Sequence, residues 1–266
     1  MKRRMWIILT LAVLAAALCC ATALADTKGS CGDNATWTFD PGTGVLTISG
    51  TGDMWDYKGT FPGWNGWCDN IIRVEIASGV TSIGVNTFSF SSNLIEVKIP
   101  EGVTRIGEEA FLYCSSLEQI TIPEGVTVIG EAAFDFCTNL KQVTIPEGVT
   151  TIGNQAFQNC TSLTEIIIPD SVTSIGVGAF FYCIGLTSVE VPASVNSMGY
   201  LAFARCDNLT SITIYNSEAV IGNGEHDVFS GCDDALVIYG WNPSTAKTYA
   251  KEWGWNFESI GDLNGQ

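Results

Sequence analysis

Apolar and polar positions repeat along the chain with a period of 23 residues, which is the sequence mark of stacked coils. The unit reads C-x-x-L-x-x-[IV]-x-[IV]-P-[ED]-x-V-T-x-I-G-x-x-A-F. Its leucine position is filled by Ile71, Leu94, Leu117, Leu140, Leu163, Leu186 and Leu209. A branched pair follows in every unit, for example Ile120 with Ile122, Val143 with Ile145 and Ile166 with Ile168. Branched residues at spacing two predict a short strand with one buried face. Pro100, Pro123, Pro146, Pro169 and Pro192 then end the ladder and predict a turn, with Gly102, Gly125 and Gly148 two positions on.

A glycine recurs at Gly84, Gly107, Gly130, Gly153, Gly176, Gly199 and Gly222, marking either a special backbone conformation or a close approach. The phenylalanines Phe88, Phe111, Phe134, Phe157, Phe180, Phe203 and Phe229 are expected to stack into a spine. Ala133, Phe134 and Cys137 sit three and four apart, which predicts one helical or 3-10 turn per coil. The expected fold is a repeat solenoid with a parallel β-sheet on one face and short helical or 3-10 turns on the other. One such coil cannot bury enough apolar surface to offset the cost of ordering its backbone, so the coils must stack and both ends need caps. Trp37 and Phe39, the turn residues Asp40 to Gly44, and Leu46 and Ile48 predict a β-hairpin cap, with Trp55, Trp64 and Trp67 covering the open core. At the other end Ala246, Tyr249, Ala250 and Trp253 share a helical face that stops at Gly254, and this helix with Trp255 and Phe257 is expected to lid the last coil.

These residues resemble the BspA-type leucine-rich repeats of bacterial surface and secreted proteins. The stretch from Cys137 to Phe157, CTNLKQVTIPEGVTTIGNQAF, carries the repeat almost intact, and the segments WTFDPGTGVLTISGTGDM and STAKTYAKEWG resemble end segments that accompany such repeats. The resemblance covers roughly residues 31–258 and is specific for fold. It implies attachment to a partner, as in family members that act as adhesins or bind host proteins. It carries over no ligand-binding residues.

The first 25 residues change the picture of location. Lys2, Arg3 and Arg4, the apolar run from Trp6 to Leu18 and the site Ala23-Leu24-Ala25 predict a signal peptide over 1–25. Cys19 and Cys20 suggest a lipoprotein alternative, but neither Leu18 nor Cys19 is the small residue wanted before a lipidated cysteine. No second long apolar run follows, so no membrane anchor is expected in the mature chain. The expected organisation is an N-terminal cap over 26–67, a solenoid of about seven coils over 68–240, and a C-terminal cap helix and tail over 241–266. Removing the leader takes three of the 12 Lys and Arg and none of the 28 Asp and Glu, moving the formal charge from -16 to -19. Scattered cations on so acidic a surface argue against nucleic-acid or anionic-membrane partners.

Six of the eight remaining cysteines, Cys114, Cys137, Cys160, Cys183, Cys206 and the shifted Cys232, follow the repeat and read as a column of buried thiols. Disulfides between adjacent coils are the alternative, poorly suited to side chains that all point the same way. Cys68 keeps the register and Cys31 does not, so Cys31 to Cys68 is the one bridge to consider, tying cap to first coil. His226, the single histidine, lies in a loop expansion beside Glu225 and Asp227 and reads as a loop residue rather than a catalytic base or zinc ligand. No H-E-x-x-H or G-x-S-x-G motif occurs, and neither an enzymatic activity nor a cofactor is expected. Glu101, Glu124, Glu147 and Asp170 form a carboxylate column that either splays into water or binds a divalent cation. The residues Asp262 to Gly265 resemble the opening of a dockerin calcium loop without its closing half.

The outward strand residues form two columns. One runs Arg73, Glu96, Gln119, Gln142, Glu165, Ser188, Ser211, and the other runs Glu75, Lys98, Thr121, Thr144, Ile167, Glu190, Thr213. Arg73 is expected to meet Glu96, and Glu75 to meet Lys98. The central patch of Gln119, Thr121, Gln142, Thr144, Glu165 and Ile167 is the candidate contact surface for a protein or glycan partner, a host extracellular protein among the options. The reading is a secreted or surface-displayed binding module; a scaffold part of a larger secreted complex and a secreted hydrolase are the rival readings.

Overall fold

The structure, a computed structural model, describes residues 26–222 and 226–263. The expected leader over 1–25, Glu225 and the residues Asn264 and Gly265 lie outside the described residues.

The chain winds as a parallel β-solenoid, and each coil has three sides. The branched pairs form the first side, with strands such as Arg73–Ile76, Gln119–Thr121, Gln142–Thr144, Ser188–Val191 and Ser211–Ile214. Register between coils is in steps of 23: Ile120 faces Val143, and Val189 faces Ile212. Equivalent residues therefore stack into columns, and a position that faces the core in one coil faces it in the next. The ladder on this side is split into sheets of five, two and four strands, with no strand assigned over 165–168.

The second side carries a sheet that the sequence reading did not foresee. The V-T-x-I segment after each proline turn pairs with its neighbours over Val80–Ile83, Arg105–Ile106, Val128–Ile129, Thr151–Ile152, Ser174–Ile175, Ser197–Met198 and Val220–Ile221, joined by Gly52–Asp53 into eight strands. Between the two sheets the proline carbonyl accepts from the amide three residues on, as in Pro146 and Val149 at 3.1 Å.

The third side is a stack of turns rather than a helix. Ala133, Asp135 and Cys137 donate to Gly130, Ala132 and Phe134, each bond spanning three residues as in a 3-10 helix. The alternate amides turn outward instead: those of Ala132, Phe134 and Phe136 donate to Asn154, Ala156 and Gln158 of the next coil at 2.8 to 2.9 Å. That alternation requires left-handed backbone at two positions per coil, seen at Glu109 and Tyr113, Ala132 and Phe136, and Gln155 and Asn159. The turn thus satisfies its backbone partly across coils, which a continuous helix could not do.

One contiguous apolar core runs from Cys31 to Ala250. Its spine is the phenylalanine column, with neighbouring rings from Phe88 to Phe229 stacked at centroid distances of 5.1 to 6.3 Å. Trp64 extends the column at the N-terminal end, 5.9 Å from Phe88, just before the 3-10 helix Asn65–Asn70. The hairpin strands Ala35–Asp40 and Val45–Gly50 pair antiparallel, and the second of them runs parallel to Arg73–Ile76, so the cap merges into the solenoid sheet. Of the three tryptophans expected over the open core, Trp64 is buried and Trp67 packs on Phe39, whereas Trp55 is 43% exposed and donates to Asp33.

At the other end, helix α1 (Thr245–Trp253) is capped by the Ser244 hydroxyl and ends at left-handed Gly254. It buries Ala246, Tyr249 and Ala250, while Trp253 stays 38% exposed. The segment beyond the helix is more than a tail: Asn256–Asp262 returns as a strand parallel to Val237–Asn242, and Asp262 accepts from the Asn242 amide at 2.6 Å.

Candidate binding face

All six residues of the candidate patch lie exposed on the first side. Gln119 stands beside Gln142 and Thr121 beside Thr144, held by the paired strands, while the buried Ile122 and Ile145 anchor them from below. Glu165 and Ile167 lie in the next coil; Ile167 is the most exposed large apolar residue described, at 70%.

The N-terminal part of this face is zipped by charge. Arg73 Nε lies 2.8 Å from Glu96 as expected. Lys98 departs from expectation: it is in register with Glu75, but its Nζ leans back to Glu96 at 3.9 Å. The shared Glu96 places two cations around one anion. Lys141 meets Glu118 at 3.0 Å beside the patch. Both members of these pairs are substantially exposed, so each contributes only about 0–1 kcal/mol. The carboxylate column Glu101, Glu124, Glu147 and Asp170 is exposed throughout.

The glycine column resolves as close approach except at Gly222, whose φ of 67° is left-handed. A Cβ on Gly107, Gly130, Gly153, Gly176 or Gly199 would come within 2.5 to 2.8 Å of backbone in the preceding coil, and none of these five has a positive φ. The thiol column is buried as expected. Each sulfur donates to the phenylalanine carbonyl of the preceding coil, as Cys137 does to Phe111 and Cys160 to Phe134, both at 3.3 Å. Burial pushes these thiols up, Cys232 to about 12. Cys31 packs in the hairpin cap, where burial raises it to about 12, and the buried Cys68 belongs to the 3-10 helix.

His226 sits half-buried with its ring 5.4 Å from that of Tyr200. Its neighbour Asp227 has the more defined role: this buried carboxylate accepts from the Tyr249 hydroxyl, from Trp255 Nε1 at 3.1 Å and from the Phe229 amide at 3.0 Å. It thereby ties α1 and the final strand to the last coil. Among the described residues no three His, Cys, Asp or Glu side chains gather into a metal-holding group.

Two features escaped the sequence reading. Asp135, on the turn side, is 7% exposed and accepts from Gln158 and Asn159 at 3.1 Å; desolvation raises it to about 7 against those hydrogen bonds. The second is a groove of about 620 Å³ on the first side, running from Glu165 and Ile167 to Tyr215 and Trp241. Its signal is in the proline column, which changes to Tyr215 and, by strand register, Trp241 in the last coils.

A stack of short parallel coils with an exposed sheet face defines a repeat scaffold of the leucine-rich type, a class that is in general non-catalytic and protein-binding. The BspA type leucine-rich repeat region matches residues 65–183 and 150–239 in six copies, and the chain belongs to that family. Among solved structures it is similar to a leucine-rich repeat protein of T. pallidum, with 23% identity, TM-score 0.46, and 84% of this chain and 94% of that one covered. A leucine-rich cell surface protein of Faecalibacterium prausnitzii is 20% identical with TM-score 0.43, over 91% of this chain and 96% of that one. The pneumococcal vaccine antigen PcpA is 17% identical with TM-score 0.42, over 72% and 67%. No curated protein matches the chain. Among the described residues no helix is long and apolar enough to cross a membrane.

Proposed function

We propose that this protein is a secreted or surface-displayed binding module that presents the face around Gln119, Thr121, Gln142, Thr144, Glu165 and Ile167 to a protein or glycan partner. The observation that carries the reading is the exposure of all six side chains on one face, four of them on paired strands whose register is set by the buried columns beneath them. The ladder already orders the backbone of the four on strands, so binding there costs the fixing of side-chain rotamers but no ordering of the chain. The leader read over 1–25 supports export. The fold offers no convergent set of nucleophile, base and orienting group on this face, only amides, hydroxyls, one carboxylate and one isoleucine.

The test is capture of the purified chain, residues 26–266, on a panel of extracellular matrix proteins and glycans, with generic hydrolase substrates run alongside. The expected result is saturable binding to at least one panel member, reduced at least about tenfold by the combined Gln119→Ala, Thr121→Ala, Gln142→Ala and Thr144→Ala variant. Binding that is indifferent to this variant, or turnover of a substrate, overturns the reading.

A further inference from the structure

We propose that the groove between Glu165 and Trp241 docks an extended basic peptide segment of a partner protein, with Lys or Arg placed next to an apolar residue. This rests on the binding reading above and names the chemistry of the partner at one part of the face.

The groove arises from side-chain size along the columns. The coil carrying Ser188 and Ala193 has small residues where Glu165 and Asp170 stand one coil earlier, and Tyr215 and Trp241 rise one and two coils later. Ser188 and Glu190 face Ser211 and Thr213, and the later coils rise at Tyr215 and Trp241, so the low ground is a trough with Glu165 and Ile167 on one side and Tyr215 and Trp241 on the other. Its width is about two strand spacings, roughly 10 Å, and its floor, the strand Ser188–Val191, is roughly 13 Å long. Those dimensions suit a single extended chain. The groove also lies beside 165–168, where the ladder of the first side lapses.

Chemistry selects the occupant. Glu165, Asp170 and Glu190 line the trough together with Ile167, Tyr215 and Trp241. None of these carboxylates takes part in the ion pairs found among the described residues, which all lie at Lys141 or earlier in the chain. Arg205 is the only Lys or Arg between Lys141 and Lys247, and it lies on the turn side, hydrogen-bonded through its left-handed backbone to Ser230. Lys247 approaches the wall, its Nζ 2.8 Å from the Asn242 side-chain oxygen next to Trp241, so three carboxylates against one cation leave the trough net negative, and a cationic segment gains what an anionic or neutral one does not. The aromatic wall is set in advance. Trp241 Nε1 donates to the Tyr215 carbonyl at 3.0 Å, and its ring lies against Gly261, where a Cβ would come within 2.8 Å. A fixed indole beside carboxylates is suited to the apolar stem and charged head of Lys or Arg.

The experiment is calorimetric titration of the chain with the peptide Lys-Phe-Lys-Phe-Lys, its Glu-for-Lys counterpart and cellohexaose as a neutral oligosaccharide, at low and at physiological salt. The lysine peptide is expected to bind, more weakly at higher salt, and the other two are not. The double variant Glu165→Gln with Glu190→Gln is expected to lose at least about tenfold in affinity, as is Trp241→Ala. The control double variant Glu101→Gln with Glu124→Gln removes the same charge elsewhere on the surface and is expected to stay within about twofold. The exposed glutamines preserve shape, so the double variants report on the groove even where Trp241→Ala disturbs the cap. Equal loss in both double variants, absence of lysine-peptide binding, or binding of the oligosaccharide instead overturns the proposal. If the peptide does not bind while the Gln119 and Gln142 variant still abolishes capture of a panel protein, the basic-peptide assignment falls and the wider binding reading stands.

Discussion

Asp135 illustrates how much a single buried residue in a repeat can depend on its neighbours. Equivalent positions in neighbouring coils carry Leu112, Gln158, Phe181 and Ala204, whereas here a carboxylate is held by two side-chain amides of the next coil. Its folded value of about 7 lies above the ordinary 3.8, so between roughly pH 4 and pH 7 the folded chain keeps a proton that the unfolded chain has lost. Stability from this group is complete below about pH 4 and declines as pH rises through 7, by up to a few kcal/mol. Glu109, raised by burial, adds in the same sense, whereas Asp53, lowered chiefly by the Thr81 hydroxyl, acts oppositely and below its ordinary value. Urea midpoints measured from pH 4 to pH 8 are expected to fall for the natural chain and to fall less for Asp135→Asn. Parallel curves for the two would remove Asp135 as the cause.

At the scale of the coil, columns act as single elements. The thiols of Cys114, Cys137, Cys160, Cys183 and Cys206 are buried and pushed well above their ordinary value, so the reactive thiolate is scarce at any pH the fold tolerates. Alkylation without reductant at pH 8 is expected to leave these five unmodified in the native protein and to label them all after unfolding. Rapid native labelling would mean that the coils open locally. The same intact-mass measurement after unfolding decides the cap bridge: eight labelled cysteines in residues 26–266 means that Cys31 and Cys68 are both thiols, and six means that they are joined. The second sheet belongs to this scale as well. Each V-T-x-I segment supplies only two to four strand residues, too few for a local pattern to announce a strand. Their pairing is earned laterally, by identical segments 23 residues away.

For the whole molecule the ends decide cooperativity, because each coil touches only its neighbours and the terminal coils have one neighbour missing. Trp64 closes the phenylalanine spine at one end, and Tyr249 and Trp255 meet Phe229 edge-on at 5.9 and 6.1 Å at the other. Asp227 gathers the C-terminal cap through Tyr249, Trp255 and the Phe229 amide. Asp227→Ala orphans these donors and is expected to destabilise the C-terminal coils by roughly 2–3 kcal/mol. Hydrogen exchange would show faster opening from residue 209 onward with little change near Phe111. A uniform change along the solenoid would mean that the cap is not a separable unit.

The sequence alone determined the coil period, the direction in which each columnar side chain points, the spine and the thiol column, because each depends on a pattern that every unit states again. It also carried both cap elements, since the hairpin turn from Asp40 to Gly44 and the helical face of Ala246, Tyr249 and Ala250 that stops at Gly254 are local patterns. Tertiary structure alone decided the rest. The second sheet, the left-handed residues of the turn side and the close approach at the glycine column exist only because one coil lies against the next. The groove at Trp241 is the same kind of property: its depth is a difference in side-chain height between coils 23 or more residues apart, which becomes a shape only when stacking makes those coils adjacent.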